Sequence, residues 1–165
     1  MKIIFLDIDG VLNNDKDYED SELYPCVIFP SKVELLNKVH ATFLNVQYVL
    51  ATSWRCHEEN SHRDIREVLQ EHGFTGKFHS DWRTPWEGKD IVRVDGSKGE
   101  WRRGDEVHSW LWKNAFQSKY VILDDCADFY PGQAHIKTDA WVGLTEEDVA
   151  QAISVLTDDS GKEHL

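Results

Sequence analysis

The sequence predicts a three-layer α/β fold built on a parallel, doubly wound sheet of Rossmann-like type, and three observations carry that prediction. Apolar runs at 2–6 (KIIFL), 46–52 (VQYVLAT) and 119–125 (KYVILDD) are rich in β-branched residues and do not alternate, the pattern of strands covered on both faces. Segments of helical spacing lie between them. The runs end in polar groups, at Asp7, Thr52 and the pair Asp124 and Asp125, where such sheets gather their ligands.

The elements follow in order. After the first strand, residues 13–30 are polar, acidic and irregular. Ser31, with Glu34 three residues on, reads as an N-cap before Val33, Leu35, Leu36 and Val39, and so predicts a helix over about 32–43. Beyond the second strand, Ile65, Val68 and Leu69 fall on one helical face and Gly73 stands as the stop. Residues 74–102 sustain no period, which predicts a short strand near 77–79 and then a long loop or Trp-rich flap around 80–102. From Gly104 to Phe116 the apolar positions 107, 110, 111 and 115 mark an amphipathic helix that leads into the third buried strand. TEEDVAQAISVL reads as a last helix with Thr145 as N-cap and Asp148 three on, and 158–165 as a flexible tail after a single domain over 1–157.

Composition narrows the function. The formal charge is −12, from 30 acidic against 18 basic residues, and it disfavours long nonspecific nucleic acid as a ligand unless cations cluster locally or a bound metal intervenes. Cys26, Cys56 and Cys126 are widely spaced and form no C-x-x-C pair, so they read as reduced thiols in a cytoplasmic protein. The opening apolar run is too short and too soon acidic for a signal peptide, and no run approaches membrane-spanning length. No obligate protein partner is evident. The eight histidines show no ligand spacing, and Cys56 has no evident catalytic task.

Asp7, Asp9, Thr52, Ser53, Asp124 and Asp125, distant in sequence, would all meet at the carboxyl ends of these strands. Four carboxylates in one crevice repel one another unless a hard cation sits among them, and oxygen ligands of this kind suit Mg²⁺. With a basic residue before the helix that leads to the Asp124 strand, the order of motifs resembles the haloacid dehalogenase (HAD) superfamily of phosphohydrolases. DIDGVLN, LATSWR, RRGDEVHSWL, YVILDD and DAWVGLTEEDV are similar, more narrowly, to the HAD domains of Swiss Army Knife RNA repair proteins, across positions 7–149.

The resemblance implies a HAD-like fold and residue roles that the chemistry supports. Asp7 would be the nucleophile that forms an aspartyl phosphate, and Asp9 the acid/base that protonates the leaving oxygen and then activates water. Gly10 would let the chain turn sharply near the phosphate. Asp7, the Asp9 carbonyl and Asp124 would hold Mg²⁺, with Asp125 binding directly or through water. Thr52, with Ser53 as alternative, would hydrogen-bond a phosphoryl oxygen. Lys98, Arg102 and Arg103 compete for the motif cation, and Arg103 is chosen because it immediately precedes the helix. Arg55 reads as a contact to a second phosphate or sugar or as a solvated helix-start arginine, and Trp54 as a base-stacking or a packing residue.

Only a loop and one helix separate Asp9 from Thr52, and residues 53–103 hold a helix and the flap, so no large cap domain is expected and the site should be open. An open site with flap tryptophans and Arg83, Lys89, Arg93, Lys98, Arg102 and Arg103 nearby suits a phosphorylated nucleic-acid end. The competing expectations are a nucleotidase or small-molecule phosphomonoesterase, a phosphoacceptor signalling module and a noncatalytic domain. Receiver modules carry their acidic pair on the first strand and a lone phosphoacceptor on the third, whereas here D-x-D comes first and DD last.

Overall fold

The structure is a computed structural model and describes residues 1–16, 27–56, 63–86, 93–94, 102–115 and 117–157. These residues form strands β1 (Lys2–Leu6), β2 (Val46–Leu50), β3 (Phe78–Arg83), β4 (Lys119–Asp124) and β5 (His135–Lys137). The helices are α1 (Pro30–Ala41), α2 (Ile65–Glu71), α3 (Arg103–Asn114) and α4 (Glu146–Thr157), and a 3₁₀ turn (Ser53–Cys56) follows β2. All strand pairs are parallel, in the order β3-β2-β1-β4-β5.

Side chains along a strand alternate between faces, and here both faces are apolar. Ile4, Leu6, Tyr48, Leu50, Val121 and Leu123 point into a core closed by α1, α2 and α4 through Val33, Leu36, Ile65, Leu69, Val149 and Ala152. Ile3, Phe5, Val49, Ala51 and Ile122 point to the other face, which α3 closes with Val107, Trp110 and Leu111. This is the three-layer arrangement that the unalternating runs predict. The chain moves outward from β1 to β3, then returns past β1 to β4. A right-handed crossover in the reversed direction puts its helix on the opposite face, where α3 lies. The switch point is therefore between β1 and β4, the strands that end in Asp7 and Asp124.

Local chemistry sets the boundaries. The first long helix starts at Pro30, not after Ser31: Phe29 is the N-cap and Pro30 occupies the first turn, where its missing N–H costs nothing. Asp64 caps α2 by accepting from the Arg66 amide (2.9 Å), and Gly73 adopts φ +92° beyond its end. Thr145 and Asp148 cap α4 reciprocally, as their spacing predicts: the Asp148 amide donates to Thr145 Oγ1 (3.2 Å) and the Thr145 amide to Asp148 Oδ2 (2.9 Å). β3 runs on to Arg83 rather than stopping at 79, and β5 was not anticipated. Both are edge strands, half exposed or only three residues long, and carry no continuous apolar run. Among the described residues no helix is long and apolar enough to cross a membrane. Cys26, His57, Lys89, Lys98, Trp101, most of the expected flap and the tail 158–165 lie outside the described residues.

Candidate active site

Register brings the motif residues to one row. Leu6 pairs with Leu50 on one side and Leu123 on the other, so the next residues, Asp7, Ala51 and Asp124, stand level across the sheet. Asp7 shares the face of Ile3 and Phe5, and Asp124 that of Ile122, which is the face covered by α3. That helix runs back toward the start of β4, so its N-terminus lies over the carboxyl ends of the strands, and its first residue is Arg103.

The Arg103 guanidinium reaches down into this row. It donates to the Ala51 carbonyl, and its terminal nitrogens lie 3.4 Å from Asp7 Oδ2 and 3.6 Å from Asp124 Oδ2. Arg102, one residue earlier, points away and lies 3.7 Å from Asp128. Gly104 allows the helix start to approach this closely, because a Cβ there would stand 2.5 Å from Gln133 Oε1 and 2.9 Å from Tyr130.

Asp7 and Asp124 are 2% and 0% exposed. Asp7 Oδ1 accepts from the Ile8 amide (2.7 Å), and the buried Thr52 side chain lies beside the same carboxylate and favours its charged form. Burial nevertheless pushes the Asp7 carboxyl up to about 7. Arg103 opposes the shift, the neighbouring Asp124 adds to it, and Thr52 and the Ile8 amide oppose it further. Asp124 is likewise raised, first by burial and with Arg103 opposing. Its Oδ1 accepts from the Cys126 amide (2.8 Å), while its buried Oδ2 has no hydrogen-bond partner.

A buried carboxylate oxygen with no hydrogen-bond donor, beside a second carboxylate, is suited to serve as a ligand atom for a cation. One ligand atom each from Asp124, Asp125 and Cys126 lies within 4.8 Å of the others. Burial, then Asp124 and Asp125, push the Cys126 thiol up to about 12, so this sulfur stays protonated and the donors on offer are oxygens. That donor set fits a hard divalent ion.

The loop after β1 is held from several sides. Residues 8–12 form a helical turn, Val11 and Leu12 are buried, and Gly10 adopts φ +66°. A Cβ at Gly10 would stand 2.6 Å from the Asp125 carboxyl carbon, so only glycine admits Asp125 there. The Gly10 carbonyl accepts from Thr138 Oγ1 (2.8 Å) and its amide donates to Asn13 Oδ1 (2.9 Å). Asn13 Nδ2 donates to Asp9 Oδ1 (2.9 Å), and Trp54 Nε1 donates to Asp9 Oδ2 (2.9 Å). Asn13 and Thr138 take no role in the sequence reading. The asparagine was visible inside DIDGVLNN, but nothing in the pattern says which groups it bridges.

Asp7, Asp9, Gly10, Thr52, Asp124, Asp125 and Arg103 thus come together. Ser53 opens the 3₁₀ turn beside them, half-buried, and the side chain of Arg55 lies outside the description. The tryptophans divide. Trp110 is core, edge-on to Phe5 with its indole N–H donating to the Asp81 carbonyl, and Trp82 carries the Arg66 guanidinium 4.4 Å from its ring centroid. Trp86 and Trp112 stay 43% and 67% exposed. Of the expected basic set, Arg83 lies over Trp82 and Arg93 faces Asp105 at 3.8 Å.

No curated protein and no solved structure matches the chain. A family profile described as "HAD domain in Swiss Army Knife RNA repair proteins" does, over residues 3–149. Match and geometry cover the same stretch, from the strand that leads into Asp7 to the second turn of α4, and the chain belongs to this family of HAD domains.

Proposed function

We propose that this HAD-type phosphohydrolase is a Mg²⁺-dependent phosphomonoesterase that works through an aspartyl phosphate and takes the terminal phosphate of a nucleic-acid strand as substrate. The observation that carries the reading is the buried Asp7 carboxylate at the β1/β4 switch point, 3.4 Å from Arg103, which also lies 3.6 Å from Asp124.

Asp7 attacks phosphorus and the bond to the leaving oxygen breaks, with Asp9 supplying the proton that oxygen takes up. Asp9 then removes a proton from water, whose oxygen attacks the phosphoryl group on Asp7, and inorganic phosphate leaves with the aspartate restored. Arg103 and the Thr52 hydroxyl, with Ser53 as its alternative, hold phosphoryl oxygens, and Gly10 allows close backbone approach. Asp7, the Asp9 carbonyl, Asp124 and Asp125 would hold Mg²⁺, which would supply charge neutralisation for an anionic nucleophile approaching an anionic ester. The nucleic-acid end is supported by the family description. The free thiol of Cys126 supports a reducing, cytoplasmic setting.

The test is phosphate release with Mg²⁺ from p-nitrophenyl phosphate, mononucleotides and oligonucleotides phosphorylated at the 5′ or the 3′ end. Turnover concentrated on one oligonucleotide end is expected, and equal or better turnover of mononucleotides would make the protein a nucleotidase. Asp7→Asn should lower activity by about 10⁴-fold or more, since an amide cannot serve as the nucleophile. Near wild-type turnover by Asp7→Asn refutes the mechanism.

A further inference from the structure

Asp9 sits exposed at the mouth of the site, yet each of its carboxylate oxygens accepts a hydrogen bond from a neutral side-chain nitrogen, Asn13 Nδ2 on one and Trp54 Nε1 on the other, both at 2.9 Å. Both donors are fixed from behind. Asn13 is buried, and its Oδ1 is committed to the Gly10 amide, so its NH₂ is the end that faces Asp9. Trp54 is the second residue of the turn that follows β2: its amide donates to Thr52 Oγ1 (3.3 Å), and its ring packs in part against the core on the α1 face. The indole N–H can only donate, so this contact needs an acceptor oxygen at Asp9 and holds its side chain in one rotamer. A base stacked on Trp54 would have to use what the core and Asp9 leave of the ring.

We infer that Trp54, together with Asn13, is a positioning residue that fixes the Asp9 carboxylate over the reacting phosphate, and is not a stacking platform for the substrate. The inference rests on Asp9 being the acid/base of the proposed reaction. It also ties the β2 end to the β1 end, so that the residue holding phosphate, Thr52, and the residue orienting the acid/base lie two positions apart on one turn.

Trp54→Phe keeps an aromatic face and deletes the donor. On both p-nitrophenyl phosphate and a phosphorylated oligonucleotide it should lower kcat by about tenfold, as expected for a lost hydrogen bond to a charged group, and leave KM unchanged. In an Asp9→Asn background the same substitution should cost nothing further, because the two residues act as a unit. A KM increase confined to the oligonucleotide with kcat intact, an unchanged Trp54→Phe enzyme, or full additivity with Asp9→Asn each overturns the inference. A readout free of catalysis covers misfolded variants. In the indole ¹⁵N–¹H spectrum of the whole chain, the resonance missing from Trp54→Phe should move when Asp9 is replaced by Ala, and a resonance that stays in place overturns the contact. A wild type that hydrolyses no phosphate ester defeats the proposed function instead, and the spectrum still decides whether the clamp exists.

Discussion

Asp124 and Asp105 are both fully buried aspartates, each within reach of an arginine, and their surroundings differ in kind. Asp105, in the first turn of α3, is saturated: Oδ1 accepts from the Val94 amide and the Tyr130 hydroxyl, both at 2.9 Å, and Oδ2 from the Arg102 amide at 2.9 Å, with Arg93 Nε at 3.8 Å. The donors come from the helix's own start, from Val94 and from Tyr130, so the carboxylate ties residues 93–94 and the loop after β4 to the helix that delivers Arg103. Asp124 has one amide donor, one orphaned oxygen, and Asp125 and Asp7 as like charges around it. A buried carboxylate surrounded by donors holds a fold together. One left short of donors among other carboxylates stores a demand for a cation.

The sharpest way to break this comparison is to remove the saturated member. Asp105→Ala strands three donors and the Arg93 guanidinium, and should cost about 3 to 5 kcal/mol of stability whether or not Mg²⁺ is present. Denaturant unfolding with EDTA and with millimolar Mg²⁺ checks it, and a loss that Mg²⁺ repairs would move Asp105 into the metal site. Smaller, and opposite in logic, is the effect of the ion on the wild type: a cation bound only by the folded chain at a hundredfold excess over Kd stabilises it by about 2.7 kcal/mol. Asp124→Asn should abolish that gain while melting no lower than the wild type in EDTA, because the charge that burial penalises is removed and the Cys126 amide keeps its acceptor. A variant that retains the whole Mg²⁺ shift would sink the Asp124 assignment.

A third effect is on pH dependence. The folded Asp7 carboxyl titrates near 7 against an ordinary value of 3.8, so between these values the folded chain binds more protons than the unfolded one, and stability is lost as pH rises through that window. Asp7→Asn cannot deprotonate. Its stability relative to the wild type should therefore grow with pH in EDTA, by at most about 1.4 kcal/mol for each pH unit. Parallel stability curves for the two proteins between about pH 5 and 6 would show that Asp7 ionises there without penalty.

Much of the frame was legible before any coordinates. KIIFL, VQYVL and KYVIL announce strands buried on both faces because only residues covered above and below can be apolar at every position, and Asp7, Thr52 and Asp124 mark the carboxyl ends of those strands. The Thr145 and Asp148 cap was readable because it is a contact between near neighbours in the chain. The edge strands were not, since β5 is three residues and β3 mixes His, Asp and Arg into its run. The choice between Arg102 and Arg103 was made on order alone, and two adjacent arginines at a helix start differ only in direction, about 100° apart around the axis. It took the placement of α3 on the Ile3, Phe5 and Ile122 face to aim one at Asp7 and Asp124 and the other at Asp128. Trp54 shows the same limit: its sequence position beside Thr52 was plain, but its partner is Asp9, on a different strand end, 45 residues away along the chain. Local pattern and periodicity determine which segments are strands and helices because those depend on near neighbours. Which side chain meets which across the crevice depends on strand register and helix placement, and only the tertiary structure decides that.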